Sequence, residues 1–391
     1  MRNSRLFLFA MSLMMAFSPS CINTYNKIVQ GDTETDNPPL YLEWETIINS
    51  ESEITTLSEI AQSISYIKLT TPEDQPIDRI SQIQKTDNSL FILDRSGIKM
   101  FDKNGSFLRT IGNKGRGPNE YISYQGFMPD ENKQILVCTD ANNNEIHLYN
   151  FSGDYLKRIQ LKFRPYHIAI VKGGLYCISV LPESQENSNL RPYYIVINEI
   201  GDILIENWSV QEIDQPDDFF LSFVSRLEQN SLGTFITPAF CDTTYLLSSS
   251  LEKTPFVISD FGKYKLPKVL QTKGSINDGR ENYITNCRIR LVKNNLLITY
   301  TYNNSYEGLI WDTKTGKSTR ISRYLKDDID NGPDVFLGSF NERYILDQIE
   351  PFKLLADSSL AKIRKNSYLF EIANSLTEND NTILRFIELK Y

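Results

Sequence analysis

Short runs of apolar, β-branched and aromatic residues recur along this chain, each bounded by a polar turn; residues 90–94, 98–101 and 107–111 form the first set. Runs of four to six residues suit strands and fall short of a helix, so the pattern predicts β structure. Between two of these runs stands Phe101-Asp102-Lys103-Asn104-Gly105, and the device returns as Tyr149-Asn150-Phe151-Ser152-Gly153 and Ile197-Asn198-Glu199-Ile200-Gly201. Asp or Asn opens such a turn by bonding its own backbone, and Gly takes the positive φ that closes a hairpin. The glycines at 105, 153 and 201 are spaced by 48 residues, and looser copies end at Gly262 and Gly316.

A unit of roughly 40–50 residues with four short strands is the mark of a β-propeller blade. One blade cannot cover its own apolar faces, so blades must stack round a ring. The expected fold is all-β, a six-bladed β-propeller with blades at residues 78–112, 120–160, 164–208, 232–268, 282–322 and 333–391. A strand at 64–69 precedes the first blade and one at 383–389 ends the chain. An unpaired edge is adhesive, so these two strands should share the last blade and close the ring. Residues 210–230, with Gln215-Pro216-Asp217-Asp218, read as a connecting excursion. From Pro351 the spacing of Leu355, Leu360, Ile363, Leu369, Ile372, Ala373 and Leu376 changes to that of helices. A short helical insertion is therefore expected at about 352–376, inside the last blade.

The first residues follow other rules. Arg2 and Arg5 precede an apolar stretch at 6–17, too short to span a bilayer, and then Ser18-Pro19-Ser20-Cys21. Residues 1–21 thus read as a lipoprotein signal peptide with Cys21 as the lipidation site, whose acyl chains would tether the rest to a membrane. Residues 22–60 carry eight acidic residues against Lys27 alone and read as an acidic tether, with 40–57 packing on the ring's outside; the propeller itself is placed at 61–391. Net charge is −8 and becomes more negative once Arg2 and Arg5 leave, which argues against nucleic acid as a partner.

The Ser18–Cys21 segment, the Gly115-Arg116-Gly117-Pro118-Asn119-Glu120-Tyr121 loop, Asp330-Asn331-Gly332-Pro333-Asp334 and the closing strand ending Leu389-Lys390 resemble the six-bladed β-propeller lipoproteins of the Bacteroidota. These are distant relatives of NHL-repeat and TolB-like propellers. The resemblance implies a protein of the cell envelope, lipid-anchored to the outer membrane. Surface-displayed relatives carry acidic residues directly after the lipidated Cys. Here Ile22-Asn23-Thr24-Tyr25-Asn26-Lys27 follows, which favours the periplasmic side.

Propeller sites form where the loops entering each innermost strand crowd round the channel. Three such loops look alike: 117–121, 279–283 and 332–334. They nominate Arg116, Glu120, Tyr121, Arg280, Glu281 and Asp334 as a ligand-binding rim. Arginines there would hold an anionic or polar ligand and carboxylates its hydroxyls. The competing reading has Gly-Pro shaping the crossing while Glu and Tyr bond the neighbouring backbone. No H-E-x-x-H or G-x-S-x-G is present, so no catalytic residue is assigned. His147 and His167 lack ligands at metal spacing, and the Asp140–Glu145 run lacks the Gly of a calcium loop. Cys138, Cys177, Cys241 and Cys287 fall one per blade, as unpaired core residues. The function expected is a monomeric binding or interaction module, without a cofactor, for an envelope protein or a glycan or peptide ligand. The alternative is a lactonase- or lyase-type enzyme with Ca2+ or another divalent metal in the channel, as on other six-bladed propellers.

Overall fold

The structure, a computed structural model, describes residues 38–50, 53–117, 119–171, 174–181, 190–210, 225–271, 279–337, 339–340, 344–356 and 360–390. The expected signal peptide, Cys21 and the first half of the acidic segment lie outside the described residues.

Six antiparallel sheets make a six-bladed β-propeller. Blade 1 comprises Gln82–Lys85, Ser89–Asp94, Gly97–Asp102 and Phe107–Ile111, and blade 2 Tyr124–Asp130, Ile135–Asp140, Glu145–Asn150 and Tyr155–Gln160. Blade 3 holds Arg164–Val171, Leu175–Leu181, Leu190–Ile197 and Ile203–Val210, and blade 4 holds Arg226–Asn230, Gly233–Thr237, Thr243–Leu247 and Lys253–Asp260. Blade 5 is built from Thr285–Val292, Asn295–Tyr302, Ser305–Asp312 and Ser318–Lys326. Blade 6 takes Ser339–Phe340, Tyr344–Ile349 and Ile383–Leu389 from the end of the chain and Ala61–Lys68 from its beginning. That last pair runs antiparallel with Phe386 opposite Ser65, so the two chain ends close the ring as expected.

The near-continuous apolar runs follow from burial on both faces of every blade. Alternate residues of one strand serve different neighbours. Phe91 and Leu93 pack towards blade 2 with Phe127 and Leu136, whereas Leu90 and Ile92 pack towards blade 6 with Leu384 and Phe386. The same alternation recurs at the other interfaces, Val137 meeting Ile178, Cys177 meeting Ile236, Phe235 meeting Ile289 and Leu297 meeting Ile345. The period of two along each strand supplies both faces at once.

The hairpin device keeps its chemistry in blades 1, 2, 3 and 5. Asp102, Asn150, Asn198 and Asp312 each accept from the glycine that follows, at Gly105, Gly153, Gly201 and Gly316. All four glycines have positive φ, between 69° and 95°. Blade 4 departs from the expectation. Its hairpin is Ser248–Glu252, in which Leu251 holds the glycine's place with φ 67°. Gly262, expected there, lies past the last strand in a one-turn helix, Gly262–Tyr264. Blade 4 therefore begins at Arg226, inside the stretch read as an excursion.

The expected tether also overlaps the fold. Leu40–Glu43 adds a fifth, parallel strand to the outer edge of blade 4, and Glu53–Thr56 does the same for blade 5. Alternation of apolar residues among the acidic ones drives this: Leu42, Trp44, Ile47, Ile54 and Leu57 are buried while Glu43 and Glu45 face solvent. Trp44 is fully enclosed, stacked on Phe261 at 5.3 Å and edge-on to Tyr300 at 4.8 Å.

The helical insertion lies between the second and third strands of blade 6, as Pro351–Leu355 and Tyr368–Asn374. Ser367 caps the second helix by accepting from the Phe370 amide at 3.2 Å. Leu354, Ile363, Leu369 and Ile372 pack on Tyr66 and Ile383 of the closing strands.

Candidate functional site

In every blade the first strand is innermost, and the first strands of blades 1 to 5 contact one another round the axis. Antiparallel alternation then brings the crossings between blades, and the loops joining second to third strands, out on one face. That face is the channel mouth.

The nominated rim residues stand on three crossings, and Arg280 and Glu281 line one cavity together. At the crossing from blade 1 to blade 2, Asn113–Lys114 pairs parallel with Glu120–Tyr121 and closes the loop on itself. The Glu120 carboxylate turns inward to accept from the Gly117 amide at 2.6 Å. A Cβ at Gly115 would lie 2.0 Å from its Oε2 atom, so a side chain there would have to push this carboxylate aside. Tyr121 is buried, stacked on Tyr124 at 3.9 Å, with its hydroxyl against Gly97; burial raises its pKa well above the usual phenol range. Both side chains thus bond and pack locally, as the competing reading anticipates, and Arg116 is exposed beside them. Arg280 donates through Nε to the Leu270 carbonyl at 2.9 Å and, with Glu281, lines a cavity of about 340 Å³ between blades 4 and 5. Asp334 is exposed on the separate crossing into blade 6.

Further side chains of the mouth lie on the innermost strands. Near their starts, blades 2, 3 and 5 each carry a bulge, at Gln125, at Tyr166–His167 and at Asn286–Cys287. A bulge bends its strand and re-aims a side chain, and such irregularities gather beside sites. Next to them stand the arginines of blades 4 and 5. Arg290 holds Glu228 with two bonds, from Nε at 3.0 Å and Nη2 at 2.9 Å. Two residues nearer the mouth on the same two strands are Arg226 and Arg288. Arg226 lines the cavity that also takes in Arg280, Thr285 and Asn286.

Electrostatics follow from this layout. Burial, then the nearby Arg288, pushes the Arg226 guanidinium down to about 10, with Glu228 and Tyr166 acting in the opposite direction. His167 is held at about 3, chiefly by burial and then by the charge of Arg226. Its Nδ1 donates to the Ser225 carbonyl at 3.3 Å, leaving Nε2 as an acceptor. His147 is the contrasting case. It is fully buried between Glu145 Oε2 at 2.8 Å and the Tyr124 hydroxyl at 3.0 Å, inside blade 2. Cys138 and Cys177 are buried, burial raises both thiols well above the usual range, and Cys287 is pushed up to about 12. Among the described residues, no three His, Cys, Asp or Glu side chains are grouped to hold a metal ion.

A family model described as a domain of unknown function, DUF4934, matches residues 43–388. The chain belongs to the DUF4934 family. This match begins inside the outer strand on blade 4 and ends in the closing strand of blade 6, so the DUF4934 unit is the whole ring together with its outer wrap. The DUF4934 chain resembles an exported-class protein from Bacteroides fragilis at 19% identity and TM-score 0.70, covering 90% of this chain and 100% of that one. A DUF4221 member from Bacteroides vulgatus gives 11% identity, 84% and 97% coverage and TM-score 0.48. Virginiamycin B lyase from Staphylococcus aureus gives 14% identity, 66% and 73% coverage and TM-score 0.39. No curated protein matches the chain by sequence. Among the described residues no helix is long and apolar enough to cross a membrane.

Proposed function

We propose that this DUF4934 protein is a ligand-binding or protein-interaction module of the cell envelope, working through the channel mouth at blades 3 to 5. The observation that carries the reading is the cavity of about 340 Å³ at the mouth, where Arg226, Arg280 and Glu281 meet beside the bulged innermost strand of blade 5. A rigid ring that presents irregular backbone and charge at its mouth suits recognition by that face. Of the rim residues, Arg280 and Glu281 line that cavity, and Arg116 and Asp334 stand on the crossings into blades 2 and 6, where a large partner would reach them. Glu120 and Tyr121 shape the loop that carries Arg116.

The membrane attachment in this proposal is a lipid on Cys21, on the periplasmic side of the outer membrane, with the ring monomeric. The signal-like first residues and the likeness to an exported-class Bacteroides protein support it. Cys21→Ser should move the protein from the membrane fraction to the soluble fraction of Bacteroides cells and abolish labelling by a fatty-acid probe; unchanged fractionation would defeat the anchor. For the module itself, equilibrium binding of the full chain to envelope glycans, peptides and envelope proteins should give at least one saturable partner. That partner should be displaced by Arg280→Glu at the mouth. A partner that binds the exposed outer strands instead would overturn the choice of face.

A further inference from the structure

A second cavity of the channel mouth, of about 520 Å³, lies where blade 1 passes into blade 2. Three segments build it: the entry into blade 1 at 79–81, the turn joining that blade's second and third strands at 94–97, and the crossing that carries Lys114 and Tyr121. Local bonds hold the three together. Ser81 donates its amide and its hydroxyl to the Leu93 carbonyl, at 2.8 and 3.0 Å. Lys114 donates through Nζ to the Arg95 carbonyl at 3.0 Å, which fixes its ammonium over the turn and leaves it two further donors. The Asp94 carboxylate accepts from the amides of Asp78, Ser96 and Gly97.

Charge is unevenly spread over these walls. Arg79, Arg95 and Lys114 all line the cavity. Among the described residues, the one carboxylate in the lining is Asp94, and the buried ammonium of Lys99 binds it at 2.6 Å, so that pair is neutral. Just outside, Asp78 meets Arg95 at 3.9 Å with both side chains well exposed, a pairing that water largely screens. A chain of net charge −8 thus gathers an excess of cations in one concave place. Such a place raises the local potential and concentrates anions.

A second observation points to a ligand. Tyr121 is only 2% exposed, yet it lines this cavity, with its hydroxyl against Gly97. Among the described residues no group hydrogen-bonds that hydroxyl. Buried polar groups are normally partnered, so a protonated phenol at a cavity wall calls for an acceptor from outside. We propose that this cavity is an oxyanion site, in which Arg79, Arg95 and Lys114 surround the doubly charged phosphate or sulfate group of a small ligand and the Tyr121 hydroxyl donates to it. Guanidinium forks match the oxygens of such groups, and the ammonium adds a point charge. Three cations favour a dianion over a carboxylate, because each attraction scales with the ligand's charge. The cavity is also of the size that small-molecule sites have. The proposal does not depend on the cavity of Arg226 and Arg280; it adds a second, chemically defined site on the same face.

The test is calorimetric titration of the full chain with phosphate, sulfate, acetate, glucose 6-phosphate and glucose 6-sulfate at constant ionic strength. A pH of about 7.5 keeps phosphate mostly dianionic. At least one phosphate or sulfate probe should bind saturably, and about tenfold or more tighter than acetate. Arg79→Gln and Lys114→Gln, at exposed positions that leave the core untouched, should each weaken that binding about tenfold. Tyr121→Phe should weaken it severalfold, and circular dichroism checks that each variant folds. Arg280→Glu, in the other cavity, should leave it unchanged. Tighter binding of the 6-phosphate than of the 6-sulfate assigns a phosphorylated ligand, and the reverse a sulfated one. No saturable binding by any probe, acetate bound as tightly as the dianions, or equal affinities in wild type and the Arg79 and Lys114 variants overturns the site. Binding lost in Arg280→Glu but kept in those two variants would move the anion to the other cavity and overturn this one.

Discussion

Arg385 donates through Nη1 to Asp327 at 2.9 Å, and both side chains are wholly shut off from solvent. Arg385 belongs to the third strand of blade 6, and Asp327 to the crossing that leaves blade 5. The same guanidinium also reaches Asp347 on the neighbouring strand through Nε at 3.1 Å and the Pro333 carbonyl at 2.9 Å. Asp327 in turn accepts from the amides of Ile329, Asp330 and Gly332. One buried cation therefore ties the last crossing to the blade that closes the ring.

Removing that cation strands two carboxylates in the core. Arg385→Met should cost about 3–5 kcal/mol, the usual penalty for breaking a buried pair. Asp347 sharpens the prediction, because burial raises its carboxyl even with Arg385 beside it. An acid whose folded pKa is raised gives stability below its unfolded value of about 4, lost as pH rises through the folded one. Loss of Arg385 raises it further, so the deficit of Arg385→Met should be larger at pH 8 than at pH 5. Urea midpoints at the two pH values check this, and a pH-independent deficit would contradict it.

Gly105 and Gly316 occupy equivalent hairpins with different surroundings. A Cβ on Gly105 (φ 92°) would stand 2.4 Å from the Lys68 carbonyl of the closing strand. Gly316 (φ 69°) has nothing within 4 Å of the same position. Gly316→Ala should cost about 1 kcal/mol for the left-handed backbone alone. Gly105→Ala should cost about 2–4 kcal/mol, since overpacking is added. Thermal unfolding of the two variants measures the difference, and equal costs would show that Lys68 yields freely.

Gly115 and Glu120 should behave as a unit. Gly115→Ala drives a methyl into the Glu120 carboxylate and should destabilise by about 1–3 kcal/mol. In a Glu120→Ala background most of that cost should vanish, giving a coupling above 0.5 kcal/mol in a double-mutant cycle. Additive losses would mean that the carboxylate is not what excludes a side chain at 115.

His167 is held at about 3, against about 6.5 in the unfolded chain. A base with a lowered folded pKa gives stability that is full above 6.5 and lost as pH falls towards 3. His167→Gln should therefore flatten the acid limb of the stability curve between pH 6.5 and pH 4, by at most about 1.4 kcal/mol per pH unit. Denaturation midpoints across that range are the measurement, and parallel curves for both proteins would refute it.

The ring was readable because its repeating parts need particular residues. Gly105, Gly153, Gly201 and Gly316 stand where φ is positive, and only glycine is comfortable there. Blade 4 hid because Leu251 tolerates that backbone in its hairpin, while Gly262 offered a false match outside it. Its first strand hid for a different reason: Arg226-Leu227-Glu228-Gln229-Asn230 has the polarity of a loop. An innermost strand can pair charges with the strand of the next blade, as Arg290 does with Glu228, so it keeps residues that an interior strand would exclude. The signal that could have found it is charge at alternate positions, Arg226 with Glu228 and Arg288 with Arg290, which puts each pair on one side of its strand. At the first rim loop, Glu120 and Tyr121 bond and pack within their own crossing, which the residue types alone did not distinguish from a ligand contact.

The outer wrap sets the order in which the molecule can assemble. Leu42 pairs with Ser259, Ile54 with Ile321 and Ile64 with Ile387, so each early segment finds its mate only in the second half of the chain. A polypeptide made from its beginning must carry each segment unmated until its own partner strand has been synthesised. Blades 4, 5 and 6 are then fastened in turn, and a truncated product lacking the final strand would leave Ala61–Lys68 dangling for quality-control proteases to find.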